Sequence, residues 1–193
     1  IRKAVWKAAG ACKDITAAHL QAVADLLEKQ TGRYVKLPYG LTATRVYNVI
    51  EIMGKRKETE KICLPIDTDR LPENLLAGEW KFSFKKFPYD GNTDKIPRKM
   101  YTKWFDYDKI KDSLAIRNRR KGDYFVLDAA GHHKKLEDYF VNEKIPASHR
   151  DEQLLLAGED EIFWIVGGRM AYGTGISDAT RWVLEITASN SSH

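Results

Sequence analysis

Apolar positions recur at helical spacing only near the start of the chain and at period two along most of the rest. Residues 1–9 read as helix. Residues 11–32 read as a longer one, with Leu20, Val23, Ala24 and Leu27 forming one stripe. Asp14 or Thr16 suits the cap, and Gly32 the position just past the end. Residues 33–37 then alternate as a strand, Pro38-Tyr39-Gly40 turns the chain, and residues 41–53 return as one longer strand, giving a hairpin with a charged exit at 54–61. A short strand follows at 62–64. Residues 65–78 hold too many Asp, Pro and Asn for regular structure. In 79–87 Trp80, Phe82 and Phe84 alternate with Lys81, Ser83 and Lys85. A loop at 88–97, an aromatic strand at 100–105 and one helical turn at 106–110 complete this half.

The second half is built around residues 114–169. Leu114 and Ile116 point one way along a strand, and Ala115, Arg117 and Arg119 the other. That pattern buries aliphatic groups and holds guanidinium groups in water. Gly122-Asp123 turns the chain, and residues 124–127 form the next strand. Lys134 and Lys135 fall in the first turn of a helix whose apolar face is Leu136, Tyr139 and Phe140, with Glu137 and Asp138 on its wet side. A short helix over 145–152 and strands at 154–156, 162–166, 169–172 and 181–186 follow; residues 189–193 should fray. The expected class is α+β. A helix and β-hairpin region spans 1–111, and a β-rich C-terminal domain with short helices spans 112–188.

At 193 residues the chain can bury two small cores, and a boundary near Lys111 is expected. It begins at Ile1 with a helix already under way, which reads as a piece of a longer polypeptide. No apolar run approaches the roughly 20 residues of a membrane span and no signal-peptide pattern is present, so the expected location is the cytoplasm, without a membrane partner. Two cysteines give neither a disulfide framework nor a zinc set.

The net charge of +5 is unevenly placed. Between Lys81 and Lys121 thirteen Lys/Arg face five Asp/Glu, a local +8 that leaves −3 for the remainder. Such a segment attracts a polyanion, although an ordinary solvated, Lys-rich surface gives the same count. His132, His133 and His149 have Lys and Arg neighbours and no carboxylate cluster, which favours solvated or RNA-facing histidines over metal ligands. Gly167-Gly168-Arg169 and Gly173-Thr174-Gly175 lack phosphate-loop spacing and read as strand-turn glycines. No motif marks a nucleophile or paired carboxylates.

What remains is cations mixed with flat rings. Arg117, Arg119, Arg120, Lys121, Lys134, Lys135, Lys144, Arg150 and Arg169 are the candidate RNA-binding residues, beside Tyr124 and Tyr139, with Phe140 assigned to the core. Lys134 and Lys135 at a helix start oppose the dipole, which suggests an outside partner. If these side chains are solvated, replacing Arg117, Arg119 and Lys135 together should barely change thermal stability.

The order Arg117-x-Arg-Arg-Lys-Gly-Asp-Tyr-Phe, Lys134-Lys135-Leu136-x-Asp138-Tyr139-Phe140, Lys144-Ile145-Pro146, Arg150-Asp151, Ile162-x-Trp164, Gly167-x-Arg169 and Thr180-x-x-Val183-Leu184-x-Ile186 resembles the C-terminal region of the tRNA(Ile)-lysidine synthetase family. The resemblance runs over about residues 105–186. A weaker one covers 14–47, including Leu37-Pro38-x-Gly40, and looks like the family's middle, substrate-recognising region. The resemblance over 105–186 implies a last domain similar to a module of the phenylalanyl-tRNA synthetase β subunit, a β-rich, sandwich-like fold with short helices. The implied parent activity is ATP-dependent attachment of lysine to the wobble cytidine of an isoleucine tRNA, through an adenylylated intermediate. That chemistry uses ATP, magnesium and a Ser-Gly-Gly-x-Asp-Ser loop in an N-terminal domain, and the loop's sequence does not occur here. The resemblance therefore implies tRNA recognition without catalysis or cofactor in this chain. Its expected partners are isoleucine tRNA, through the acceptor arm, and the N-terminal catalytic domain of the same protein; homodimerisation stays open. The alternative is a structural docking or dimerisation domain whose basic surface is incidental.

Overall fold

The computed structural model describes residues 1–10, 13–54, 61–110 and 113–190, which form two compact units, Ile1–Thr59 and Glu60–His193. In the first unit, α1 (Arg2–Ala9) ends at Gly10 in the left-handed region, φ 64°. Helix α2 (Ala17–Asp25) starts at Thr16, whose Oγ1 accepts the His19 N–H while His19 Nδ1 accepts the Thr16 N–H, at 3.4 and 3.2 Å. This reciprocal cap replaces the helix start expected at residue 11; Ala11 and Cys12 lie outside the described residues. A 3₁₀ turn, Leu26–Glu28, then tightens the spiral, so that Leu26 is buried and the expected stripe residue Leu27 is 47% exposed. Thr16→Ala should cost about 1 kcal/mol, read as earlier exchange of the α2 amides.

The expected hairpin is a three-stranded antiparallel meander of β1 (Tyr34–Lys36), β2 (Thr42–Val46) and β3 (Val49–Met53). Residues 41–53 are two strands because Val46 pairs with Val49 across a two-residue turn, where Tyr47 takes φ 48°. Val5, Val23, Leu26, Leu37, Leu41 and Ala43 form this unit's core. Of the expected exit loop, residues 55–60 lie outside the described residues.

The second unit has three layers. The first is the antiparallel sheet of β5 (Asn74–Ala77), β6 (Trp80–Pro88), β13 (Trp182–Asn190) and β7 (Thr102–Asp106), in the order β5-β6-β13-β7. The second combines β12 (Ile162–Ile165), β11 (Leu155–Ala157), β8 (Ala115–Arg117) and β4 (Cys63–Pro65), in that order. The third is a ribbon of β9 (Tyr124–Val126) and β10 (His133–Lys135) with helix α4 (Leu136–Asn142). Short helices α3 (Tyr107–Ile110) and α5 (Ala147–Arg150) connect them. Alternation on β11 shows why the middle sheet is covered twice. Leu156 joins Phe82, Phe105 and Trp164 in a core against the first sheet, while Leu155 and Ala157 join Phe125, Leu136 and Phe140 under the ribbon.

These pairings correct four expectations. The units divide between residues 59 and 60 rather than near Lys111, because β4 pairs with β8, and β6 and β7 flank β13. Lys111 and Asp112 themselves lie outside the described residues. Residues 74–77 form an edge strand despite their Asp- and Pro-rich surroundings: Leu75 and Ala77 alternate inward. Ser189 and Asn190 pair with Lys81 and Trp80 instead of fraying. Residues 169–172 form a bridge from Met170 to Trp164 rather than a ladder. Among the described residues no helix is long and apolar enough to cross a membrane.

Candidate nucleic-acid interface

Arg117 leaves the predicted interface. It stands opposite Leu155 on the face of β8 that the ribbon covers, and it is 1% exposed. Its guanidinium binds Asp123 through two hydrogen bonds, Nη1 to Oδ2 at 2.9 Å and Nη2 to Oδ1 at 2.8 Å, and also donates to the carbonyls of Asn118 and Glu159. Asp123 Oδ2 in turn accepts the Arg120 N–H at 2.7 Å, and its carbonyl accepts the Leu136 N–H at the start of α4. A buried, hydrogen-bonded ion pair thus fixes the shape of the loop 118–123. The spacing Arg-x₅-Asp with Gly122 before the carboxylate is its sequence signal.

Arg119 is also engaged. It reaches Asp151 at 2.7 Å and Glu137 at 3.4 Å, tying the loop to α4 and to the segment after α5. Arg150 donates Nε–H to the Ile145 carbonyl at 2.8 Å and closes the turn between the two helices. Lys144 occupies that turn, exposed, with φ 55°.

The remaining cations gather on the ribbon. In the β9–β10 register Lys135 faces Tyr124 and His133 faces Val126, so these four share one side, while Phe125 turns inward to the core. Tyr124 and His133 meet edge to face, with ring centroids 4.8 Å apart. Arg120 and Lys121 project from the turn just before β9, and Arg120 Nη2 lies 3.0 Å from Cys63 Sγ. Lys134 and Lys135 therefore belong to an edge strand rather than to a first helical turn; Lys135 is the residue before α4. Among the described residues, Lys121, Lys134 and Lys135 have no carboxylate partner. At the far end of β9, exposed Arg169 stands over Phe125 with its Cζ 5.7 Å from the ring centre.

Two titrating groups border this face. The Asp128 carboxyl is held below its ordinary value, chiefly by its hydrogen bond with His132, 2.9 Å from Nδ1 to Oδ2. Burial raises the Tyr139 hydroxyl, with the charge of Glu143 adding to it and Arg169 opposing. Among the described residues no three His, Cys, Asp or Glu side chains come together as a metal site. Flat rings, cations and backbone at an edge can bind phosphates and stack on bases.

Comparison with known proteins agrees with this architecture. Residues 114–186 match the family model described as the TilS substrate C-terminal domain. A tRNA(Ile)-lysidine synthase of Caldanaerobacter subterraneus subsp. tengcongensis is 32% identical over 187 residues, covering 96% of this chain and 39% of that protein. One from Clostridium perfringens is 29% identical over 198 residues, with 97% and 41% covered. The chain thus spans about two fifths of the length of the curated relatives it matches. A structure titled "Crystal structure of TILS C-terminal domain" shares the fold with a TM-score of 0.51 at 19% identity, covering 68% of this chain and 98% of that one. Residues 114–186 carry the TilS substrate C-terminal domain, and the chain along almost its whole length is similar to a C-terminal region of tRNA(Ile)-lysidine synthases.

Proposed function

We propose that this chain is a tRNA-recognition region of a cytoplasmic tRNA(Ile)-lysidine synthetase. The observation that supports it is the ribbon surface, where exposed Lys135 shares the side of the Tyr124–His133 pair, exposed Arg120 and Lys121 lie in the turn just before β9, and half-buried Lys134 stands opposite Phe125 on the other side. Cations neutralise phosphates, and a ring fixed beside them can stack on an unpaired base. On this reading the partner is isoleucine tRNA, met at its acceptor arm. ATP, magnesium and lysine transfer belong to the N-terminal catalytic domain of the longer protein.

The test is a salt titration of isoleucine-tRNA binding to the purified chain. Affinity should fall by about 0.9 log unit per log unit of salt for each phosphate contact, so four contacts give a slope near −3 to −4. Binding that ignores salt, or no binding at low salt, would instead support a docking or dimerisation module.

A further inference from the structure

A second feature lies at one end of the second unit, between the first and second sheets. A cleft of about 290 Å³ opens between Trp80 and Tyr101 on one wall and Leu154 and Val166 on its floor, with His149 and Glu152 at its rim. It lies just below the roughly 300–1,000 Å³ range of small-molecule sites, room for one base and its sugar rather than a dinucleotide. The aromatic wall is a tilted pair with ring centroids 5.2 Å apart. Its geometry is held by Gly167. There φ is 75°, and an added Cβ would come within 2.6 Å of the Tyr101 ring, so only glycine lets that ring lie against the backbone.

The polar groups select among flat ligands. Gln153 spends its amide N–H groups on the carbonyls of Leu154 and Val166, at 3.1 and 2.9 Å, which fixes the amide and leaves its Oε1 as an acceptor only. The Glu152 carboxylate is a second acceptor, and the His149 imidazole can donate or accept. A planar ring bearing an amino group meets these acceptors; uracil, with two carbonyls and no amino group, meets them worst.

From this geometry we infer that the cleft between Trp80–Tyr101 and Glu152 binds one unpaired, amino-bearing nucleobase, stacked on the aromatic wall. The inference rests on the RNA reading above and adds a base-selective site on a part of the unit separate from the ribbon. The backbone-directed cations of the ribbon are indifferent to sequence; this cleft would not be.

The test uses the whole chain with AMP, CMP and UMP, followed through the tryptophan indole N–H resonances, with Trp80→Phe assigning the signal. AMP and CMP should shift the Trp80 signal, and UMP should do so several-fold more weakly. Tyr101→Ala should weaken AMP binding about tenfold, the scale of a lost base–aromatic stack. Glu152→Gln, at an exposed position that leaves the fold intact, should narrow the gap between CMP and UMP. A Trp80 signal unmoved by AMP or CMP at about 10 mM, or moved equally by UMP, overturns the inference. Salt-dependent tRNA binding with a silent Trp80 signal would remove the base site alone and leave the RNA reading standing.

Discussion

Replacing Arg117 by alanine should lower the melting temperature of the second unit by about 10 °C or more, far beyond the effect of any exposed cation. Arg117 and Asp123 are 1% and 2% exposed, and two short hydrogen bonds join the guanidinium to the carboxylate. Removing one member leaves a buried charge without its counterion, a change that typically costs about 3–5 kcal/mol. Asp123→Ala should be at least as damaging, because it also releases the Arg120 amide. The double variant Arg117→Met/Asp123→Leu should cost much less than the two alanine variants together, since the same desolvation is no longer required. A melting temperature for Arg117→Ala within 2 °C of the parent, measured by calorimetry (roughly 1 kcal/mol or less), would show that the pair is replaceable by water. The expectation that Arg117, Arg119 and Lys135 could be exchanged together without loss of stability is corrected by the same geometry.

Changing Arg120, Lys121, Lys134 and Lys135 together to alanine should weaken isoleucine-tRNA binding about a hundredfold near physiological salt and flatten the salt slope by up to about 3.6 units. Stability should move little, because Arg120, Lys121 and Lys135 are exposed and Lys134 is half-buried, with the Arg120 guanidinium 3.0 Å from the Cys63 thiol sulfur. Unchanged affinity with an unchanged slope would move the RNA contact off the ribbon. The cations of β6 and β7, Lys81, Lys85 and Lys103, would then be the next candidates, on the layer farthest from it.

Local physics was readable where one layer decides it. Thr16 caps its helix, Phe82 and Phe84 alternate with Lys81 and Lys85, and Leu136 and Phe140 share a buried helical side, all as the spacing predicts. Alternation on β8 correctly separates Ile116 from Arg117. It misleads about solvent, because β8 lies in a middle layer buried on both faces. The motif from Arg117 to Asp123 likewise reads as one basic patch, yet its members divide by partner. Arg117 and Asp123 neutralise each other, Arg119 binds two carboxylates, and Arg120 and Lys121 remain for something else. The position of the unit boundary depends on pairings between segments some fifty to eighty residues apart, such as Cys63 with Arg117 and Phe105 with Leu184, which no local period encodes.

Strand β13 follows β5, β6 and β7 in the chain by some eighty residues or more, yet it lies between β6 and β7 in their sheet, with nine residue pairs to β6 on one side and five to β7 on the other. During translation β5–β6 and β7 must therefore wait with open edges until β13 leaves the ribosome and slots between them. A message truncated before the codon for Trp182 would yield a product with two unmated strand edges and an uncovered aromatic core, a substrate for aggregation or chaperone capture rather than a shortened but folded domain.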